Sequence, residues 1–169
     1  MHNFTIRHET DADISAIREV TGRAFTEFSY AQYSEQEIVE SLRDRDALVL
    51  SLIAVAGPFV VGHLAASAVT ISDGTDKWVS IGPLSGAPNS QGRGAGSALV
   101  DAALDQLREK DIGGVVAVGD PAFYSRFGFV VAEDLSHPGA IQGTFMARPI
   151  CDARVPTGEV RYHPVFRRS

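Results

Sequence analysis

The sequence predicts an α/β fold with a mixed central sheet flanked by helices. Three observations predict it. Strand-like and helix-like apolar periods alternate along the chain. A glycine-rich turn, PNSQGRGAG at 88–96, joins a strand-like run to a long amphipathic helix. Beyond that helix an apolar run, Val115 to Val118, reads as a buried strand. A strand, a helical crossover and a second strand in one sheet imply a parallel pair.

Phe4 to Glu9 alternates apolar and polar residues and opens the fold as a strand. Thr10 or Asp11 caps a helix whose stripe is Ile14, Ile17, Val20, Ala24 and Phe25. Residues 28–34 read as loop. Ser34 and Glu37 fit a capping box before a second helix that buries Ile38, Val39 and Leu42. Leu48 to Ala56 and Phe59 to Ile71 form a hairpin about Gly57-Pro58, with Gly62 marking a bulge. Ser72 to Thr75 turns the chain into a strand over 78–85. The helix Ala95 to Lys110 carries Ala98, Leu99, Ala102, Ala103 and Leu107 on one face, and Gly113 and Gly114 stop it. Asp120 caps a short helix through Pro121, and a last strand pair is expected near Val130 and over 144–150.

Composition bounds the function. A chain of 169 residues, 44% apolar and 21% charged, reads as one domain over 1–169. No apolar run reaches membrane-spanning length, and the first residues carry no apolar signal core. The single cysteine, Cys151, excludes an intrachain disulfide and fits a reducing cytoplasm. A net charge of −6 argues against nonspecific nucleic-acid binding and is compatible with a cationic amine partner. No metal is expected.

The turn carries the chemistry. Gly92, Gly94 and Gly96 clear the backbone at a helix N-terminus, where unpaired N–H groups and the positive end of the dipole suit a phosphate. No Lys follows the glycines as in a P-loop, and Ser97 stands where a dinucleotide fingerprint needs glycine.

Gln91-x-x-Gly94-x-Gly96 resembles the acyl-CoA pyrophosphate loop of the GCN5-related N-acetyltransferases (GNAT family). Tyr124-x-x-x-Gly128-Phe129 resembles that family's second signature. GDPAFYSRFGF over 119–129 and the YHPVF ending over 162–166 are similar to its YhbS-like subgroup. The resemblance implies a GNAT fold in which the parallel strands splay apart, and acetyl-CoA as co-substrate. The pantetheine arm would then lie on the main chain of Leu84, Ser85 and Gly86. Gln91, Gly92, Arg93, Gly94, Ala95, Gly96 and Ser97 would hold the pyrophosphate. A glycine at 86, where many relatives are apolar, either loosens the strand and removes a side chain that would shape the acyl pocket or simply ends the strand.

Acetyl transfer also needs a polarised thioester carbonyl, a donor for the departing thiolate and a neutral amine. A backbone N–H of Leu84 or Gly86 suits the first need. The resemblance assigns the second to Tyr124 as general acid. Glu35, Glu37, His63 and Asp120 are candidates for the base, with His63 more readily structural and Asp120 more readily a cap. Arg126 is placed near the adenosine end or on solvent, and the YHPVF ending either covers the acceptor cleft or docks as an edge strand. The acceptor is a small-molecule or peptide amine, and a homodimer is left open. Two other readings stand beside this one: an acyl-CoA-binding sensor without catalysis, and an ATP-binding protein, disfavoured by the missing Lys.

Overall fold

Strand pairing follows from the alternation just described. In the computed structural model, which describes residues 4–25, 35–86, 94–150 and 154–166, β1 (Thr5–His8), β2 (Leu48–Ala56), β3 (Phe59–Ala68) and β5 (Trp78–Gly86) run antiparallel in that order. β6 (Gly114–Val118) pairs parallel to β5, then β9 (Phe145–Pro149) and β7 (Val130–Val131) complete seven strands. A smaller sheet joins β4 (Thr70–Ile71), β10 (Gly158–Arg161) and β8 (Leu135–Ser136). The helices are α1 (Ile14–Phe25), α2 (Glu35–Asp44), α3 (Ala95–Glu109) and the one-turn α4 (Pro121–Tyr124).

Period-two alternation sends successive residues to opposite faces of the large sheet. Leu52, Leu64, Val79, Ile81 and Val115 lie beneath Leu99, Ala103 and Leu107 of α3. Ile53 and Ala65 face the other way and pack with Ile17 of α1 and Val39 of α2. On that same second face Trp78, Val116, Phe145 and Ala147 are covered by Val160 of the small sheet. The two helical layers and the small sheet thus bury both faces, which the near-continuous apolar run of β6 requires.

An ion pair closes the first loop. Arg7 donates to both Asp13 oxygens, at 2.8 and 3.1 Å, and the Thr10 N–H and hydroxyl donate at 2.7 and 3.0 Å. The Arg7 guanidinium, then the Thr10 groups, hold the Asp13 carboxyl well below the usual carboxylate range, against the opposing effect of burial.

Several expectations are corrected. The strand after Gly57-Pro58 does not run to Ile71. It ends at Ala68, Val69 donates its N–H to the Trp78 carbonyl, and Thr70–Ile71 joins the small sheet. The glycines after α3 are not its stop: Lys110 caps it and Asp111 takes the left-handed turn (φ 61°). Gly114 is needed instead because a Cβ there would fall 2.3 Å from the Trp78 ring. The chain ending does not form the edge strand. β10 precedes it, and Pro164–Phe166 is a 3-10 turn. The capping box at Ser34 and the thiol of Cys151 lie outside the described residues. The bulge expected at Gly62 falls beside it, between the pairs Ala54↔Gly62 and Val55↔Val60.

Candidate active site

Three chain segments meet at the carboxyl end of the parallel pair. β5 and β6 share three rungs, Trp78↔Gly114, Val79↔Val115 and Ser80↔Val116. Both strands then continue, β5 to Gly86 and β6 to Val118, with no further pairing between them among the described residues. The divergence has a local cause in β5. Between the pairs Ala66↔Ile81 and Leu64↔Leu84, two residues of β5 oppose one of β3. That bulge is Gly82-Pro83, with Gly82 at φ 145° and a cis bond to the proline. A bulge twists its strand away from the ladder, and Pro83 has no N–H to offer a neighbour. The sequence carried this signal, a Gly-Pro inside a strand, and the motif reading passed over it.

The second segment is the start of α3. Gly94 is its N-cap in the left-handed region (φ 90°), which any other residue would enter at a cost. The first intrahelical bond runs from the Ala98 N–H to the Gly94 carbonyl, at 2.9 Å. The N–H groups of Ala95, Gly96 and Ser97 therefore have no acceptor within the helix. Ala95 is buried, while Gly96 and Ser97 are half-buried. The Phe123 ring lies over Gly96, 3.6 Å from where its Cβ would be. Arg126 brings a cation to this turn: its guanidinium is 3.5 Å from Ser97 Oγ and sits over the rings of Phe123 and Phe127. Gln91, Gly92 and Arg93 lie outside the described residues.

The third segment, after β6, holds Tyr124. Asp120 accepts the Ala122 N–H at 2.9 Å and Pro121 takes the first helical position, so Asp120 is committed to capping. Tyr124 is 6% exposed and packs edge-on to Phe123 and Phe129. Gly119 makes room for it, since a Cβ there would stand 2.8 Å from the ring. Burial pushes the phenol up to about 12. At neutral pH Tyr124 is therefore a protonated donor.

His63 does not fit the role of base. It is fully buried, with Nε2 2.8 Å from the Ser51 hydroxyl. Burial first, and the charge of Arg43 second, lower its pKa to about 3. So weak a base remains neutral and holds a proton poorly. Ser85 stands opposite His63 in the ladder with its side chain buried on the face away from α3. Among the described residues the Ser85 hydroxyl and His63 Nδ1 both lack partners. Glu35 and Glu37 occupy the first turn of α2. Among the described residues no group of three or more His, Cys, Asp or Glu side chains is arranged to hold a metal ion. No helix among them is long and apolar enough to cross a membrane.

Residues 5–132 match the profile of an acetyltransferase (GNAT) domain. The chain belongs to the GNAT acetyltransferase family. This GNAT chain is similar to the uncharacterized N-acetyltransferase YhbS of Escherichia coli K12, 35% identical over 147 residues that cover 83% of it and 87% of YhbS. In three dimensions it matches the crystal structure of E. coli YhbS in complex with CoA, with a TM-score of 0.87, 34% identity, and coverage of 98% and 92% of the two chains. A GNAT family acetyltransferase from Brucella melitensis, in complex with acetyl-CoA, matches with a TM-score of 0.85 and 36% identity over 99% and 100%. The expected GNAT fold, with its mixed sheet and diverging parallel pair, is therefore the fold of this acyltransferase.

Proposed function

We propose that this chain, acting as one domain over its 169 residues, moves an acetyl group from acetyl-CoA to a primary amine by direct attack in a ternary complex. One observation carries the reading. The parallel pair stops after Ser80↔Val116, at the end of the sheet where α3 begins and α4 follows β6. Beyond Ser80 the β6-facing side of β5 has no further β6 rung among the described residues, which suits an extended pantetheine arm lying against Leu84, Ser85 and Gly86. The N–H groups of Ala95, Gly96 and Ser97, with Gly94 and the preceding Gln91, Gly92 and Arg93, receive the pyrophosphate. Arg126 adds charge beside Ser97. The acetyl-CoA and CoA complexes of the two similar acetyltransferases support this assignment.

Each residue then has a task. A backbone N–H of Leu84 or Gly86 polarises the thioester carbonyl and stabilises the oxyanion of the tetrahedral state. As the carbon–sulfur bond breaks, the Tyr124 hydroxyl donates to the departing sulfur. A phenol held near 12 keeps its proton until that moment, so it is always in the donating form at neutral pH. The amine proton passes to Glu35, Glu37 or solvent rather than to His63, whose affinity for a proton is too low.

Calorimetric titration with acetyl-CoA, followed by free-thiol release across an amine panel, tests the reading. Absence of binding at millimolar acetyl-CoA rejects it. Binding with no thiol release on any amine favours an acyl-CoA-binding module instead. Tyr124→Phe is expected to lower turnover by about 10²-fold or more, the usual worth of a general acid, with acetyl-CoA affinity within about twofold. Unchanged turnover removes the assigned role.

A further inference from the structure

A groove of about 420 Å³ runs along α3. One wall is the helix itself, through Asp101, Asp105 and Arg108. The other is the 3-10 turn after α4, through Arg126 and Phe127, backed by Arg148 of β9. Ser97, Asp101, Asp105 and Arg108 follow one another at helical spacing, so the groove continues the stripe on which Ser97 lies. Arg126 joins the two places: its Nη2 is 3.5 Å from Ser97 Oγ, and it lines the groove. The groove is therefore continuous with the turn assigned above to the pyrophosphate.

Its cations are held in place. The Arg126 guanidinium sits over the rings of Phe123 and Phe127, 5.1 and 5.7 Å from their centroids. Arg148 donates from Nε to the Phe127 carbonyl at 2.8 Å and from Nη1 to the Pro149 carbonyl at 2.6 Å. Neither bond uses Nη2, and carbonyl acceptors leave the positive charge uncancelled. Gly128 lets Arg148 come so close, since a Cβ there would stand 3.3 Å from Nε. On the helix wall Arg108 and Asp105 pair at 3.8 Å. Beyond that pair, the lining sets two guanidinia against the one carboxylate of Asp101, an excess of positive charge.

Two cations beside a diphosphate site suit a further anion on the same ligand. Coenzyme A carries one, a 3′-phosphate that a single ribose separates from its pyrophosphate. We infer that the groove receives this 3′-phosphate between Arg126 and Arg148, and that these two residues select coenzyme A thioesters over the same thioester without the phosphate. The inference rests on the acetyltransferase reading and deepens its donor site. The fixed fork of guanidinium N–H groups matches phosphate oxygens, and such charge-assisted bonds are about twice as strong as neutral ones. Asp101 repels an anion set against α3, which keeps the phosphate on the Arg148 wall. Phosphopantetheine carried on a protein lacks this group, so the groove favours the free coenzyme as donor.

Calorimetry with acetyl-CoA and with acetyl-3′-dephospho-CoA measures the selection without turnover. The parent is expected to bind acetyl-CoA at least about tenfold more tightly, the worth of a hydrogen bond to a charged group. Equal affinities, within about twofold, overturn the inference and leave the acetyltransferase reading standing. Arg148→Met is expected to cut the ratio to about threefold or less by weakening acetyl-CoA alone. A purely structural effect, through the lost hold on the Phe127 carbonyl, weakens both ligands alike, so a ratio equal to the parent's also overturns the inference. Arg126 is exposed, and Arg126→Gln leaves the core untouched where Arg148→Met fails to fold. It too is expected to shrink the ratio, and an unchanged ratio overturns the inference. Failure of the parent to bind either ligand is a different result, and refutes the acetyltransferase reading itself.

Discussion

His63 gives this fold a measurable dependence on pH. Its pKa is about 3 in the folded chain against 6.5 for a free histidine, chiefly because burial disfavours the imidazolium. A histidine depressed in this way contributes stability that is fully present above the unfolded value and lost as pH falls toward the folded one. Between those two values the unfolded chain binds the extra proton, so stability must rise with pH. Each unit of difference is worth about 1.4 kcal/mol, which bounds the total at roughly 5 kcal/mol between pH 6.5 and 3. From pH 7 to pH 5 the loss from this one residue is about 2 kcal/mol. Asp13, a carboxyl held well below its usual range, begins to cost stability only as pH falls below the ordinary carboxylate value of 3.8. Urea unfolding at pH 7 and pH 5, for the parent and for His63→Gln, isolates the effect. Glutamine keeps a polar group for Ser51 but does not titrate. The parent is expected to lose about 2 kcal/mol more than the variant between the two pH values. Equal losses, within about 0.5 kcal/mol, would refute the buried neutral histidine.

Two glycines make sharper tests of the site. Gly94→Ala forces a Cβ into the left-handed region at the N-cap of α3, at a cost of about 1–2 kcal/mol, and should tilt the first N–H groups of that helix. A lower melting temperature and weaker acetyl-CoA binding by calorimetry are expected together, and unaltered binding would detach this turn from the pyrophosphate. Gly119→Ala places a methyl 2.8 Å from the Tyr124 ring and must displace it. Turnover is expected to fall about tenfold or more with acetyl-CoA affinity nearly intact, since small misplacements of a reacting group are costly. Turnover equal to the parent's would mean that the ring position is not critical.

Local patterns in the sequence carried much of this protein. Apolar patterns marked strands of the large sheet, alternating from Phe4 to Glu9 and near-continuous from Val115 to Val118. Leu48 to Ala56 was read with its observed bounds. Asp120 and Pro121 announced their helix because a cap and its first residue lie within one turn of chain. Gly94 and Gly96 marked the start of α3, and with Tyr124 they pointed to the family. What remained hidden depends on residues distant in sequence. The close approach of Trp78 to Gly114 recast an apparent helix stop as a packing requirement. The small sheet joins Thr70 to Arg161 and Leu135 to Gly158, pairings of two residues each that leave no periodic trace. The neutrality of His63 is a property of the layers that close over it, and so is the isolation of the Ser85 hydroxyl among the described residues. Sequence determines which residues are apolar, which turns are permitted and which chemical groups are at hand. Only the folded chain decides which of those groups lose water, because desolvation is set by everything packed around a side chain rather than by its neighbours along the backbone.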